Sequence, residues 1–370
     1  MSRQRSKVKV GVIGSQFQAD IHCASFKMTD NAEVVAIASP TPGNAEKLAK
    51  QYGIPAWYLD YKEMLADPEI EMVTITTPNK LHCQVTKDIA NAGKHVVVEK
   101  PFSMTMEEAD EMIAVCNRQG VLCAYAEELY FTPKYVKAKE MADEGAFGQL
   151  YLVKQSEKHF GPHAPWFWDV DQSGGGVLMD MGCHGIAFVW WFLGRPKLKS
   201  VLALGGTYVH QDKTKGDDNC FVLLEFEDDR GNQMVGMVED SWARTGGMDD
   251  RIEVYGSQGC TYGNLHMGNA LPTYSNVGFG YAVEKADTTV GWTYPVFEEL
   301  WNYGFPQEMR HFAAAVRGEE TLQCSGEDGR FVQNALFASY QSMGTGAKVH
   351  MPFDAHGVAK PIDLWFSPRR

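Results

Sequence analysis

From Val8 to about Tyr130 the chain alternates short β-branched runs with stretches of helical periodicity, and this alternation restricts it to parallel β-α-β units. The runs Val8–Ile13, Glu33–Ser39, Met72–Thr76, His95–Glu99 and Val121–Ala126 predict strands; residues 19–28, 42–52, 61–66, 81–92 and 105–119 predict the helices between them. Asn91-Ala-Gly93 and Arg118-Gln-Gly120 put glycine where a helix ends in the left-handed conformation. This order predicts an α/β fold with a doubly wound parallel sheet. After Pro133 the period changes to two, with strands predicted at Leu150–Lys158, Ser200–Tyr208, Asn219–Glu227, Asn232–Ser241 and Arg251–Tyr255, and a hairpin turn at 228–232. The second part therefore reads as an α+β domain with a largely antiparallel sheet, and two helices return late, at Pro306–Arg317 and Gly329–Met343. The division predicted is 1–130 and 131–370.

Charge and hydropathy narrow the partners. In 370 residues, 34 Lys and Arg stand against 47 Asp and Glu, and a net charge of −13 repels phosphate backbones, so no nucleic acid is expected. The most apolar run, Gly185-Ile-Ala-Phe-Val-Trp-Trp-Phe-Leu-Gly194, is half the roughly 20 residues of a bilayer span, so no membrane is expected either. The basic start runs into the strand at Val8 rather than into an apolar leader, and the eight scattered cysteines lack any Cys-x-x-Cys pair, which together predict a reduced, cytoplasmic protein.

Three segments carry chemistry. Gly11-Val-Ile-Gly14-Ser-Gln16-Phe17-Gln-Ala19 follows the first strand and opens a helix, as in a dinucleotide-binding turn where glycine lets the backbone approach a pyrophosphate; Gln16 stands where the second glycine is usual. The second strand ends in Ser39-Pro-Thr41, with neither the acid that holds a ribose hydroxyl nor an Arg for a 2′-phosphate. This favours NAD, with NADP as the second choice; alternatively Ser39 and Thr41 cap the next helix. Thr76-Thr77-Pro-Asn79-Lys-Leu-His82 and Glu99-Lys100-Pro-Phe102 lie at the carboxyl ends of the third and fourth predicted strands, where open α/β sheets bind ligands. Partial burial of Lys100 would let it exchange a proton with an alcohol, whereas the plainer reading is a lysine paired to Glu99.

The succession of Gly-rich turn, Thr-Pro-Asn-x-x-His, Ala-Gly-Lys-His-Val, Glu-Lys-Pro and Gly174-Gly-Gly176-Val-Leu-Met-Asp180-Met-Gly-Cys-His184 resembles the Gfo/Idh/MocA family from about Val8 to Met351. The resemblance implies an N-terminal Rossmann domain holding a nicotinamide cofactor. It also implies a C-terminal open-faced sheet that forms the substrate site and the interface of a homo-oligomer. Lys100 matches the family's catalytic lysine, and Asp180 with His184 its Asp-x-x-x-His pair. Gly11, Gly14, Gln16, Phe17, Ser39, Thr77, Asn79, His82, Glu99, Lys100 and Glu128 are expected around the cofactor. The chain departs from the commonest pattern at Ala187 and Glu128, where the family frequently has Asp and Asn.

Spacing alone puts Asp180 and His184 on one face of a predicted helix, where His184 can move a hydroxyl proton while Asp180 orients it. Just upstream, Lys158-His-Phe-Gly-Pro-His163-Ala-Pro-Trp166-Phe-Trp168-Asp169 offers flat apolar rings beside polar groups, the needs of a pyranose. Lys100, His163, Trp166, Trp168, Asp180 and His184 are therefore the expected substrate contacts. The expectation is hydride transfer between NAD and a secondary hydroxyl of a sugar, glycoside or cyclitol, with C3 of a glucoside as one case. The competing readings are a regulator that binds without turnover and a metal-dependent lyase or hydrolase using the Asp-x-x-x-His pair with a nearby His; no metal is expected on the hydride-transfer reading.

Overall fold

The computed structural model describes residues 6–266, 268, 270–280, 288–296 and 298–369. The chain forms two compact units, one of residues 1–131 with 304–331 and one of 132–303 with 332–370.

In the first unit six strands make one parallel sheet: β1 (Val8–Ile13), β2 (Ala32–Ala38), β3 (Ala56–Tyr58), β4 (Met72–Ile75), β5 (His95–Val98) and β6 (Cys123–Tyr125). Their order is β3-β2-β1-β4-β5-β6, with every pairing parallel. This is the doubly wound order whose direction reverses beside β1, and it leaves a crevice at the strands' carboxyl ends. Val8, Val10 and Val12 are fully buried, as expected where helices cover both faces. The helices include α1 (Phe17–Lys27), α2 (Asn44–Tyr52), α3 (His82–Asn91) and α4 (Met106–Gln119). Strand β3 was not anticipated, because three residues around an exposed Trp57 carry no periodicity.

The helix Phe305–Val316, assigned from sequence to the second domain, belongs to this first unit. Its Met309, Phe312 and Ala313 share one buried cluster with Val8, Val10, Phe26, Met72 and Val97. The apolar stripe of that helix therefore completes the Rossmann core, a long-range return that local pattern does not reveal.

The second unit carries a sheet of seven strands. In chain order these are β7 (Leu150–Lys158), β8 (Lys197–Gly206), β9 (Asn219–Glu227), β10 (Gln233–Ser241), β11 (Asp249–Gly256), β12 (Cys260–Asn264) and the short Val349–His350. All neighbours pair antiparallel except β7 with β10. Alternation divides the faces: Val222, Leu224 and Val238 are fully buried on one side, while Phe221, Leu223 and Leu204 stand exposed on the other. The buried side packs on the helix Gly182–Phe192, whose residues from Gly182 to Val189 are all buried. No described helix is long and apolar enough to cross a membrane.

Candidate functional site

At the carboxyl edge of the parallel sheet, Gly14 has φ +133, and a Cβ there would lie 2.0 Å from Thr76 Oγ1 and 2.8 Å from Thr76 O. Only glycine lets the exits of β1 and β4 pass this closely. Thr76 returns the contact, its Oγ1 donating to Ile13 O at 2.9 Å. Helix α1 then starts from an extended Gln16 whose side chain makes no capping hydrogen bond, and Phe17 is exposed. A helix start with no side-chain cap, behind a turn closed to any Cβ, fits a dinucleotide pyrophosphate.

Ser39 is buried, its hydroxyl 2.7 Å from Ser15 Oγ and its N–H donating to Tyr58 O. Neither Ser39 nor Thr41 caps the next helix, which begins after Gly43 in the left-handed region. Asn79 is buried in a 3-10 turn that continues into α3 at His82. The His82 ring is fully buried, with Nδ1 3.0 Å from Pro101 O and Nε2 3.1 Å from Thr77 O. Burial, only partly offset by these carbonyls and by the Glu99 charge, holds His82 below the usual histidine range, so the neutral ring donates its one N–H to only one of the two carbonyls.

Glu99 is turned inward rather than toward the crevice. Its carboxylate accepts from Gln18 Nε2 at 2.7 Å, meets His22 Nε2 at 2.7 Å and accepts from the Lys100 N–H at 3.1 Å. Burial alone would raise it, but the His22 bond and charge, the Lys100 charge and Gln18 outweigh burial and hold Glu99 below its ordinary value. Glu99 thus pins α1 to the end of β5 and leaves Lys100, half-buried, at the start of the following loop. Two acids escaped the sequence reading. Glu127 and Glu308 are fully buried in the same unit and pushed well above the carboxylate range by burial, Glu127 against the lowering effect of Lys100 and Glu308 further by Glu128, Glu99 and Glu127. Glu308 comes from the returning helix, so only the fold reveals it.

In the second unit α5 (Pro133–Asp143) leads into β7, and the glycines 174–176 lead into α6 (Val177–Asp180) and α7 (Gly182–Phe192). Asp180 ends α6 and His184 lies in the first turn of α7, with Met181 between them at φ −112, ψ −35. The single continuous helix expected from i, i+4 spacing is therefore two helices joined at Met181, and both side chains are buried. The start of α6 is held by Asp217: its Oδ1 accepts from Gly176 N at 3.1 Å and from Tyr340 OH at 2.6 Å, its Oδ2 from Leu178 N at 2.7 Å, and its carbonyl from Val177 N at 2.8 Å. Trp242, at the end of β10, donates Nε1–H to Asp180 Oδ2 at 3.2 Å. Neither Asp217 nor Trp242 was marked by the sequence.

The aromatic loop forms a 3-10 turn, Pro165–Trp168. Trp166 stacks on Phe167 with centroids 3.8 Å apart, Trp168 meets Trp242 edge-on at 5.2 Å, and the exposed His163 lies 5.4 Å from His159. Trp166 and Trp168 are both half-buried. Trp168 also lines an open cleft of about 550 Å³ with Asp169, Asp171, Gln211, Lys213 and Lys360.

A Rossmann-type α/β unit together with an open-sheet unit is the architecture of a nicotinamide-dependent oxidoreductase. Residues 8–127 match the oxidoreductase family with an NAD-binding Rossmann fold, and residues 135–261 match the GFO/IDH/MocA C-terminal domain. The chain belongs to the Gfo/Idh/MocA oxidoreductase family. It is 26% identical over 339 residues to the myo-inositol 2-dehydrogenase of Thermotoga maritima, covering 91% of this chain and 96% of that one. It is 25% identical over 376 residues to the D-glucoside 3-dehydrogenase of Escherichia coli, covering 94% and 98%. The crystal structure of GenD2 from gentamicin A biosynthesis in complex with NAD superposes with a TM-score of 0.87 at 28% identity, covering 95% of this chain and 98% of that one. NAD is accordingly the cofactor of this fold.

Proposed function

We propose that this protein oxidises a secondary hydroxyl of a sugar, glycoside or cyclitol with NAD. The observation that carries the reading is the buried Asp180, bonded to Trp242 and followed one turn later by His184, next in sequence to a loop of half-buried tryptophans. NAD, when bound, accepts the hydride from the carbinol carbon. Gly14, Gln16 and Phe17 are assigned to the pyrophosphate, Ser39 to the adenine ribose and Thr77 and Asn79 to the nicotinamide side, while Gly11, His82 and Glu99 shape the loops from behind. One proton leaves the hydroxyl for each hydride transferred; Lys100 and His184 are the two candidates for its acceptor, and Asp180 orients His184 or a neighbouring hydroxyl. Trp168 or Trp166 receives the C–H face of the ring, and His163 a hydroxyl. Glu128 takes the place of an amide beside the nicotinamide.

The cleft of about 550 Å³ beside Trp168 has the size of a small-molecule site, and a glycoside is proposed on the reading that its aglycone occupies this cleft. The presence of Lys100, Asp180 and His184 together speaks for turnover rather than regulation. A second copy of the chain is proposed to cover the open sheet face, where Leu204, Phe221 and Leu223 lie exposed in adjacent strands. A cytoplasmic, NAD-rich compartment suits such a reaction.

The test is to incubate the protein with NAD and a panel of D-glucose, an aryl β-D-glucoside and myo-inositol, following NADH absorbance. Turnover fastest with the glucoside is expected; no NADH from any member overturns the reading. Light scattering of wild type and Leu204→Glu tests the oligomer, which the charge should dissociate.

A further inference from the structure

We infer that Trp242 is the positioning residue that fixes the Asp180 carboxylate and couples it to the aromatic loop through Trp168. The inference rests on the proposed role of Asp180 and His184. Trp242 is fully buried, and an indole N–H can only donate, so burial obliges it to find an acceptor. It finds Asp180 Oδ2 at 3.2 Å.

The indole has little freedom to do otherwise. Its backbone N–H donates to Asp218 O at 2.8 Å, its carbonyl accepts from Gly161 N–H at 2.8 Å, and His210 Nε2 lies 3.0 Å from the same carbonyl. Asp218 is itself fixed by the N–H groups of Tyr208, Val209 and His210 at 2.7 to 2.8 Å. On the other side Trp168 leans edge-on against the Trp242 ring at 5.2 Å and lies 5.0 Å from His210, with Lys213 Nζ 5.4 Å from its centroid. One ring thus serves two tasks. Its N–H sets the rotamer of the acid, and its face sets the stance of the loop proposed to meet the sugar. Asp180 stands at the end of a four-residue helix, so this side-chain bond supplies direction that the short backbone segment does not.

The experiment uses full-length enzyme with NAD and the panel sugar turned over fastest, comparing wild type, Trp242→Phe, Asp180→Asn and the double variant. Phe keeps the ring and removes the donor. The expected result is a kcat loss of about ten- to hundred-fold in Trp242→Phe, the scale of a lost hydrogen bond to a charged group, with NAD affinity unchanged and less than about twofold further loss when it is added to Asp180→Asn. Equal losses in both backgrounds, or wild-type kcat in Trp242→Phe, overturn the proposal. In a sample with ¹⁵N-labelled tryptophan, the Trp242 indole resonance should shift in Asp180→Asn; an unmoved resonance also overturns it and does not depend on the Phe variant folding. Undiminished kcat in Asp180→Asn instead overturns the role of Asp180, and the indole shift still decides the bond.

Discussion

Substitution of Gly176 by Ala tests whether the Asp217 cradle aims Asp180 and His184, the pair proposed to act on the substrate. A Cβ at 176 would sit 1.9 Å from Asp217 O, 2.5 Å from its N and 2.7 Å from its C, against the 3.4 Å at which ordinary contact begins. The shortfall to the carbonyl is 3.4 − 1.9 = 1.5 Å, and all three obstructing atoms are backbone, which no rotamer change can move aside. The segments must therefore part, stretching the bonds from Gly176, Val177 and Leu178 to Asp217. Overpacking costs about 1–3 kcal/mol, and losing even one bond to this buried carboxylate adds about 1.5–3 kcal/mol. A loss of about 3 kcal/mol or more is expected, which lowers the melting temperature of a unit this size by roughly 6–12 °C.

The effect on activity follows from position. Asp180 lies four residues beyond Gly176, and displacement by about 1 Å is worth roughly 10²-fold in rate. Dinucleotide affinity should survive, because the residues assigned to NAD belong to the first unit. Calorimetric melting, NAD titration and NADH-coupled kinetics of Gly176→Ala read the three quantities separately. A melting temperature within about 2 °C of wild type together with kcat within twofold would refute the cradle argument.

Lys100→Met should lower kcat by at least about 10²-fold with NAD binding retained, and steady-state kinetics keeping a tenth of wild-type kcat would sink the lysine's role. Trp168→Ala should weaken sugar binding by about 1–3 kcal/mol and Trp166→Ala by less, since Trp166 already stacks on Phe167; calorimetry showing neither effect assigns both rings to support. Glu99 is held below its ordinary value, so its stabilising contribution is full above the unfolded carboxylate pKa and is lost as pH falls through the folded one. Glu99→Gln should accordingly be less stable at neutral pH and flatter in acid melts, and an unchanged acid limb contradicts this. Ser39→Asp should sharpen the preference for NAD over NADP in binding titrations, because a carboxylate repels the 2′-phosphate; equal ratios in both proteins would show that another group reads the ribose.

The strands that were legible are those whose pattern is local. Val8–Ile13, Leu150–Lys158 and Asn219–Glu227 occur in the structure with the boundaries read from sequence, because β-branched runs or strict alternation announce their own faces. The Gly14 turn was legible for the same reason: its close approach follows from a strand, a glycine and a helix in succession. Strand β3 and the return of Phe305–Val316 were not, since one is too short for a period and the other has an apolar stripe that fits any core.

The site divides along the same line. Lys100, Asp180 and His184 sit in short motifs, whereas the groups that hold Asp180 and the start of α6 reach across the sequence: Trp242 lies 62 residues from Asp180, Asp217 is 41 from Gly176, and Tyr340 is 123 from Asp217. A buried donor such as the Trp242 indole carries no signature until its acceptor is known, because an apolar strand accommodates tryptophan for packing alone. The Met181 break shows the consequence: i, i+4 spacing puts Asp180 and His184 on one face of a helix, but the structure places them on two helices, with α6 bonded to Asp217 at its start and to Trp242 at Asp180. The proposed reactive groups are therefore visible in sequence as residue types, and what aims Asp180 is visible only from contacts between distant residues.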